Sequence, residues 1–155
     1  MSNDSPAPTA IVITHRLHHH HHHSASPLVL SLTADERTRS RHHFVTDDGT
    51  PIYLQLPRGT ALQEEDLLSS TAGDILVKIA AKPEPVLTVT SDDSINLLRA
   101  AYHLGNRHVS LEITPTYLRL APDPVLSGML TQLGLQIVEQ VAPFCPQGGA
   151  YSHHH

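Results

Sequence analysis

Ala101-Tyr102-His103-Leu104-Gly105-Asn106-Arg107-His108 reads as the end of a helix, a tight turn and the approach to a strand. Glycine suits the left-handed position just past a helix, where a side chain would clash. Asn106 also tolerates turn geometry and can bond its own backbone. The helix is therefore predicted to stop near Leu104, with His108 opening a strand over 109–113. There Val109, Leu111 and Ile113 alternate with His108, Ser110 and Glu112, so the apolar set should face the core and His108 should face away from it. An imidazole held at the mouth of a strand, off the core face, becomes a candidate metal ligand if a second comes near. Alone, a surface histidine needs no function.

The chain around this stretch has 155 residues, enough for one domain or two small ones. It carries 14 histidines and ends in His153-His154-His155, which raises the standing of His108 as a ligand. The formal charge of −5 argues against a nucleic-acid binder, which would show a basic surface, and against a polybasic membrane anchor. No run is long enough for a membrane span, and residues 1–10 lack the basic head and apolar stretch of a signal peptide. Cys145 is the only cysteine, so no internal disulfide can form. A cytoplasmic protein is expected.

Outward from the central stretch, the second half of the chain has a regular rhythm. A strand over 86–90 leads to Ser91-Asp92-Asp93-Ser94, whose side chains can cap a helix start. A helix over 95–104 follows, with Ile95, Leu98 and Tyr102 on its apolar stripe. Strands over 109–114 and 117–121 come next. Asp123 and Pro124 then open a second helix, buried through Leu126, Met129, Leu130 and Leu133 and ended by Gly134. A last strand covers 135–141. The order β-α-β-β-α-β is the ferredoxin-like unit, with both helices on one sheet face. From Pro143 onward the chain is tail, mobile unless something pins it.

The first half reads as all-β. Strands are expected over 11–17 and 28–32, then a hairpin of 41–46 and 51–56 about Asp47-Asp48-Gly49-Thr50, and a strand over 75–80. Ile52, Leu54 and Leu56 alternate as a half-buried strand requires. Residues 62–70 are acidic and mixed, with no element assigned. His18–His23, six consecutive histidines, read equally as a purification tag or as a native metal-rich loop, and no mechanism is built on them. Lys82-Pro83-Glu84-Pro85 reads as a stiff linker at a domain boundary. Three segments result: an all-β domain over 11–82, a ferredoxin-like domain over 83–144 and a flexible histidine tail over 145–155. The fold class is α+β.

Four stretches resemble one family, the UreE urease accessory nickel chaperones: LTADERTRSRHHF at 32–44, LQLPRGT at 54–60, AYHLGNRH at 101–108 and APF-CPQ-GGAYSHHH at 142–155. They span most of the chain, and eight consecutive residues of the AYHLGNRH kind are far more specific than a spacing motif. The resemblance implies an N-terminal β domain that contacts protein partners and a C-terminal ferredoxin-like domain that dimerises and binds nickel. It implies that His108 binds metal at the dimer interface, with further ligands from His153, His154 and His155. His103 is the other histidine of the motif, and its role is open. The implied function is delivery of Ni2+ to urease apoprotein during active-site assembly. The implied partners are a second copy, the urease apoprotein and the urease accessory GTPase complex, with neither nucleic acid nor membrane.

The chain departs from the family pattern in places. Ala121-Pro122-Asp123-Pro124 stands where many relatives carry histidines, and the terminal histidine run is short. Capacity is therefore expected to be low, roughly one or two ions per dimer. Cys145 stands where an acidic residue is more usual. It reads as a small half-buried hydrophobe rather than a soft extra ligand.

Chemically, imidazole suits nickel, copper and zinc, so zinc or copper can compete for the same ligands. Two-fold symmetry turns one histidine per chain into a pair. Mobile tail ligands would let the ion leave by stepwise exchange, where a closed four-ligand site would hold it. Binding requires neutral imidazole, so affinity should weaken as pH falls through the ordinary histidine range near ~6.5. A cytoplasmic nickel or zinc buffer without a delivery role fits the same ligands. Catalysis is not expected, and no catalytic cofactor with it: the chain has no Gly-rich phosphate loop, nucleophile elbow or HExxH. RNA binding on an open sheet would need stacking aromatics and a basic surface, and only Tyr117 is placed for it. His42 and His43, near Arg37, Arg39 and Arg41, read as a polar edge strand or as a basic docking surface.

Overall fold

The computed structural model describes residues 9–18 and 26–148. The chain divides into two compact units between Ala80 and Ala81.

The first unit is a six-stranded sheet. Its strands are β1 (Ile11–Leu17), β2 (Leu28–Leu32), β3 (Arg41–Val45), β4 (Pro51–Gln55), β5 (Leu67–Ser70) and β6 (Leu76–Ala81), in the order β2-β6-β5-β1-β4-β3. The expected hairpin forms, with Phe44 opposite Ile52 and His42 opposite Leu54. Gly49 turns it at a φ of 90°, a conformation closed to most side chains. Asp48 accepts bonds there from the Thr46 hydroxyl and from the Thr50 amide and hydroxyl. These bonds, the Thr46 hydroxyl's first among them, lower its pKa. Ile13, Leu30, Leu32, Ile52, Leu54, Leu56, Leu68, Val77 and Ile79 form the core.

Strand β5 lies within the acidic stretch 62–70, where the sequence pattern marks no element. Its polar half hides it: Ser69 and Ser70 are both buried. The Ser70 hydroxyl donates to Asp74 at 2.7 Å and accepts from the Ile75 amide at 3.2 Å, which satisfies it at depth. Between β2 and β3 lies a 3-10 helix, Glu36–Thr38, and the turn that leads into it is closed by two reciprocal bonds between Thr33 and Glu36. The Glu36 carboxylate accepts from the Thr33 amide and the Thr33 hydroxyl from the Glu36 amide. This turn buries Arg37, whose Nη1 donates to the Leu32 carbonyl at 2.7 Å. Arg37 is thereby removed from the surface that exposes Arg41, His42 and His43.

The second unit runs β7 (Glu84–Thr90), α1 (Ser94–Asn106), β8 (Glu112–Ile113), β9 (Leu118–Leu120), α2 (Pro124–Gln132), β10 (Gln136–Ala142). Its antiparallel sheet has the order β10-β7-β9-β8. Leu87, Val89, Leu118 and Leu120 of the sheet share a core with Leu97, Ala100 and Leu104 of α1 and Leu126 and Leu130 of α2. Residues alternating with that set, namely Thr88, Arg119 and Glu112, lie on the opposite sheet face.

Two expectations fail here for identifiable reasons. Glu84 and Pro85 belong to β7 rather than to a linker, paired with Ala142 and Val141. Pro85 is tolerated because β9 pairs with β7 only at 87–89, so no partner on that side needs its missing N–H. The expected strand 109–113 shrinks to Glu112–Ile113, and Ile113 is 50% exposed at the edge of the sheet rather than in the core.

Candidate metal site

Helix α1 begins as expected, with the Asp93 carboxylate accepting from the Ile95 amide at 3.1 Å. Its end lies elsewhere than the sequence suggested. The helix continues through Gly105 to Asn106, and His108, not Gly105, takes the left-handed conformation at a φ of 57°. The His108 amide donates to the Gly105 carbonyl at 3.0 Å and the Val109 amide to the Leu104 carbonyl at 3.1 Å. This double bond pattern is the Schellman closure of a helix.

The residue after the left-handed position decides where that closure falls. In a Schellman end it packs back on the residue five before it. Val109 is apolar and packs against the core cluster that includes Leu104, which is fully buried. A closure at Gly105 would have brought the polar Asn106 back onto Ala101. Helix α2 ends in the same motif: Gly134 at a φ of 85°, its amide on Thr131 and the Leu135 amide on Leu130. There glycine and apolar follower agree. In α1 they disagree, the follower wins, and a histidine occupies the glycine position. A side chain in that conformation costs roughly 1–2 kcal/mol. Gly105, meanwhile, sits inside the helix with open space around a would-be Cβ among the described residues, so packing against them does not require a glycine there.

The buried face of α1 also differs from expectation. Leu97, Ala100 and Leu104 are buried, whereas Ile95 (41%), Leu98 (66%) and Tyr102 (67%) are exposed. Both sets repeat at helical spacing, so periodicity alone could not choose between them. The exposed stripe continues one turn past Leu98 to Tyr102 and then to Gly105, at the end of the helix where His108 projects. His103, in the last turn, is exposed, with its ring 5.5 Å from that of Tyr102. The α2 stripe loses Leu133, which is 42% exposed.

His108 is exposed. His153, His154 and His155 lie outside the described residues, as do His19–His23. Among the described residues no three His, Cys, Asp or Glu side chains converge on a point that could hold a metal. Cys145 is half-buried, its amide engaged by Glu112. On the first unit His43 lies against Tyr53 at 4.5 Å and His42 against Phe44 at 4.8 Å, along the edge strand β3. No helix among the described residues is long and apolar enough to cross a membrane.

Comparison with known proteins bears on both units. A family model described as the UreE urease accessory protein N-terminal domain matches residues 13–81. The model of the UreE C-terminal domain matches residues 84–155. The chain is 58% identical over 131 residues to a protein of Nostoc sp. named urease accessory protein UreE, covering 84% of this chain and 89% of that one. It is 51% identical over 150 residues to the protein of the same name from Microcystis aeruginosa, covering 94% of each. A third, from Thermosynechococcus vestitus, is 53% identical over 131 residues, covering 84% of this chain and 91% of that one.

Proposed function

The chain belongs to the UreE family of urease accessory proteins, and from that premise we propose that it binds nickel and delivers Ni2+ to urease apoprotein during active-site assembly. The observation that carries this reading is the backbone at His108. The fold closes two helices with one motif, uses glycine in one and holds an exposed imidazole in the strained position of the other. Glu65, also exposed, shares this backbone conformation at a φ of 72°, so the support for a working role comes from the imidazole together with its place at the end of the exposed α1 stripe.

A single imidazole cannot hold Ni2+, so the site is completed from a second copy and from the tail. The exposed stripe Ile95, Leu98, Tyr102 supports a homodimer through α1, and the open space at Gly105 permits close helix approach there. Two-fold symmetry then pairs the two His108 side chains, with His153, His154 and His155 as the remaining donors. Nitrogen donors of this kind suit nickel, and also zinc and copper. Nickel is cargo, and ligands drawn from more than one segment can be exchanged one at a time.

The ferredoxin-like reading of the second unit is supported by its βαββαβ order and its β10-β7-β9-β8 sheet. We assign metal binding and dimerisation to 83–144, ligand supply to 145–155, and contact with the urease apoprotein and accessory GTPase complex to the β domain over 11–82. The setting is the cytoplasm.

The test is activation of apo-urease by nickel-loaded protein in the presence of a chelator that removes free Ni2+. Delivery predicts active urease with the wild-type chain and at least a tenfold lower yield with His108→Ala. Tight nickel binding without activation would leave a nickel or zinc buffer in place of a chaperone.

A further inference from the structure

Helix α1 presents three faces. Leu97, Ala100 and Leu104 enter the core, and Ile95, Leu98 and Tyr102 form the exposed apolar stripe. On one flank between the two lie Arg99, His103 and, at the helix cap, Arg107, all exposed. With about 3.6 residues per turn, a spacing of four sets them one above another in a single stripe. The two guanidinium groups are then about 12 Å apart along the axis.

The charge of this stripe is uncompensated. No acidic residue occurs in α1. Elsewhere Arg16, Arg39 and Arg119 sit in ion pairs, and Arg37 and Arg41 donate to backbone carbonyls. Among the described residues the arginines with neither kind of contact are Arg58, in a turn of the first unit, and Arg99 and Arg107. Three acids of the second unit are engaged elsewhere: Asp93 and Asp123 cap helices, and Glu112 holds Arg119. A cation in the last turn also answers the helix dipole, which accounts for His103 and Arg107. Arg99 stands in mid-helix, outside the reach of that effect.

We propose that this stripe docks an acidic segment of the protein that receives the metal. The proposal rests on the reading of the chain as a delivery protein. Carboxylates match the guanidinium fork, which can bond both oxygens at once. Arg107 adjoins His108 in the chain, so a segment held along Arg99 and Arg107 ends beside the proposed ligand. A second copy is not the occupant, because two-fold pairing through this face would set cations against cations. The apolar stripe assigned to the second copy lies to one side, so both faces can be occupied together. Nucleic acid and anionic membranes fit less well, since the chain carries a formal charge of −5 and offers them two guanidinium groups here. Exposed charges of this kind act mainly on the rate of encounter and its salt dependence. Loss of both arginines should slow delivery about three- to tenfold at ~0.1 M salt. The difference should close near ~1 M, where the screening length falls from about 10 Å to about 3 Å.

The experiment compares the full wild-type chain with Arg99→Gln/Arg107→Gln, Arg99→Lys/Arg107→Lys and Gln132→Glu/Gln140→Glu. The last pair lowers the net charge as much as the first, at exposed positions elsewhere in the second unit. Three quantities are measured: the rate of apo-urease activation by nickel-loaded protein at both salt concentrations, nickel affinity by calorimetry, and binding of labelled poly-L-glutamate. A DNA duplex and phosphatidylserine vesicles are titrated alongside. The glutamine pair should activate urease about three- to tenfold more slowly than wild type at low salt and equally at high salt, with nickel affinity unchanged. It should also lose poly-L-glutamate binding. The lysine pair, which keeps the charge, and the Gln132/Gln140 pair should both stay within about twofold of wild type. Four results overturn the proposal: an undiminished rate in the glutamine pair, an equal loss in the Gln132/Gln140 pair, a loss that persists at high salt, or a fall in nickel affinity. Tighter binding of DNA or vesicles than of poly-L-glutamate, lost with the arginines, also overturns it. If wild type binds nickel and activates no urease, the delivery reading fails by itself. Poly-L-glutamate then decides the face: loss in the glutamine pair supports it, and equal binding overturns it.

Discussion

At the scale of the residue, His108 sets two demands against each other. Its left-handed backbone favours glycine, and its proposed chemistry needs an imidazole. Replacement by glycine should therefore raise stability by roughly 0.5–1 kcal/mol, after allowing for the greater freedom of glycine in the unfolded chain. The same variant should lose tight nickel binding. Denaturant midpoints and calorimetry on His108→Gly check both, and a variant no more stable than wild type would mean that no strain is held there. Asp48 gives a second test. Its hydrogen bonds to Thr46 and Thr50 hold its pKa below the ordinary aspartate value of about 3.9. A depressed folded pKa means that its contribution to stability is present above that value and lost as pH falls through the folded one. Asp48→Asn should thus be less stable than wild type near neutrality, and the gap should close in strong acid. Acid unfolding curves of the two proteins measure it.

At the scale of the element, α1 carries two apolar stripes with different work. Leu97 belongs to the core, so Leu97→Ala should cost about 2–5 kcal/mol. Leu98 is exposed, so Leu98→Glu should leave the fold of the protomer intact, and if the stripe pairs two copies it should yield a monomer. Sedimentation and thermal unfolding of the two variants distinguish the stripes. A dimeric Leu98→Glu would remove α1 from the interface. The sequence showed the helix and its start, because Asp93 and Asp123 cap by their own side chains and need nothing from afar. It did not show which stripe was buried, because spacing records a repeat and not what packs against it. The same limit hid β5, whose serines are satisfied only once Asp74 and Ile75 are brought to them.

At the scale of the whole molecule, the chain has two separate cores, and the proposed roles divide between them. A chain of residues 81–155 alone should retain the nickel affinity of the full protein while losing activation of urease, which the first unit is proposed to mediate. Nickel titration and the activation assay together test that division. Replacing His18–His23 by a glycine-serine run should leave the tight site unchanged, since no ligand is assigned to them. A loss of tight binding would bring the tract into the site.

The sequence by itself determined the strand and helix order of the second unit, the hairpin at Asp48-Gly49, the helix N-caps and the candidacy of His108, along with the family resemblance. All of these rest on neighbours along the chain or on identities that folding does not alter. Tertiary structure alone decided that Pro85 lies in a strand, that α1 runs on to Asn106, that Arg37 is buried and that the tail is tied down as far as Gln147. Each depends on a distant partner: an unpaired flank of β7, a buried Leu104 awaiting Val109, the Leu32 carbonyl, and the Glu112 carboxylate with the Leu111 carbonyl. Those partners are brought close only when the sheet forms, and no local pattern in the chain encodes them.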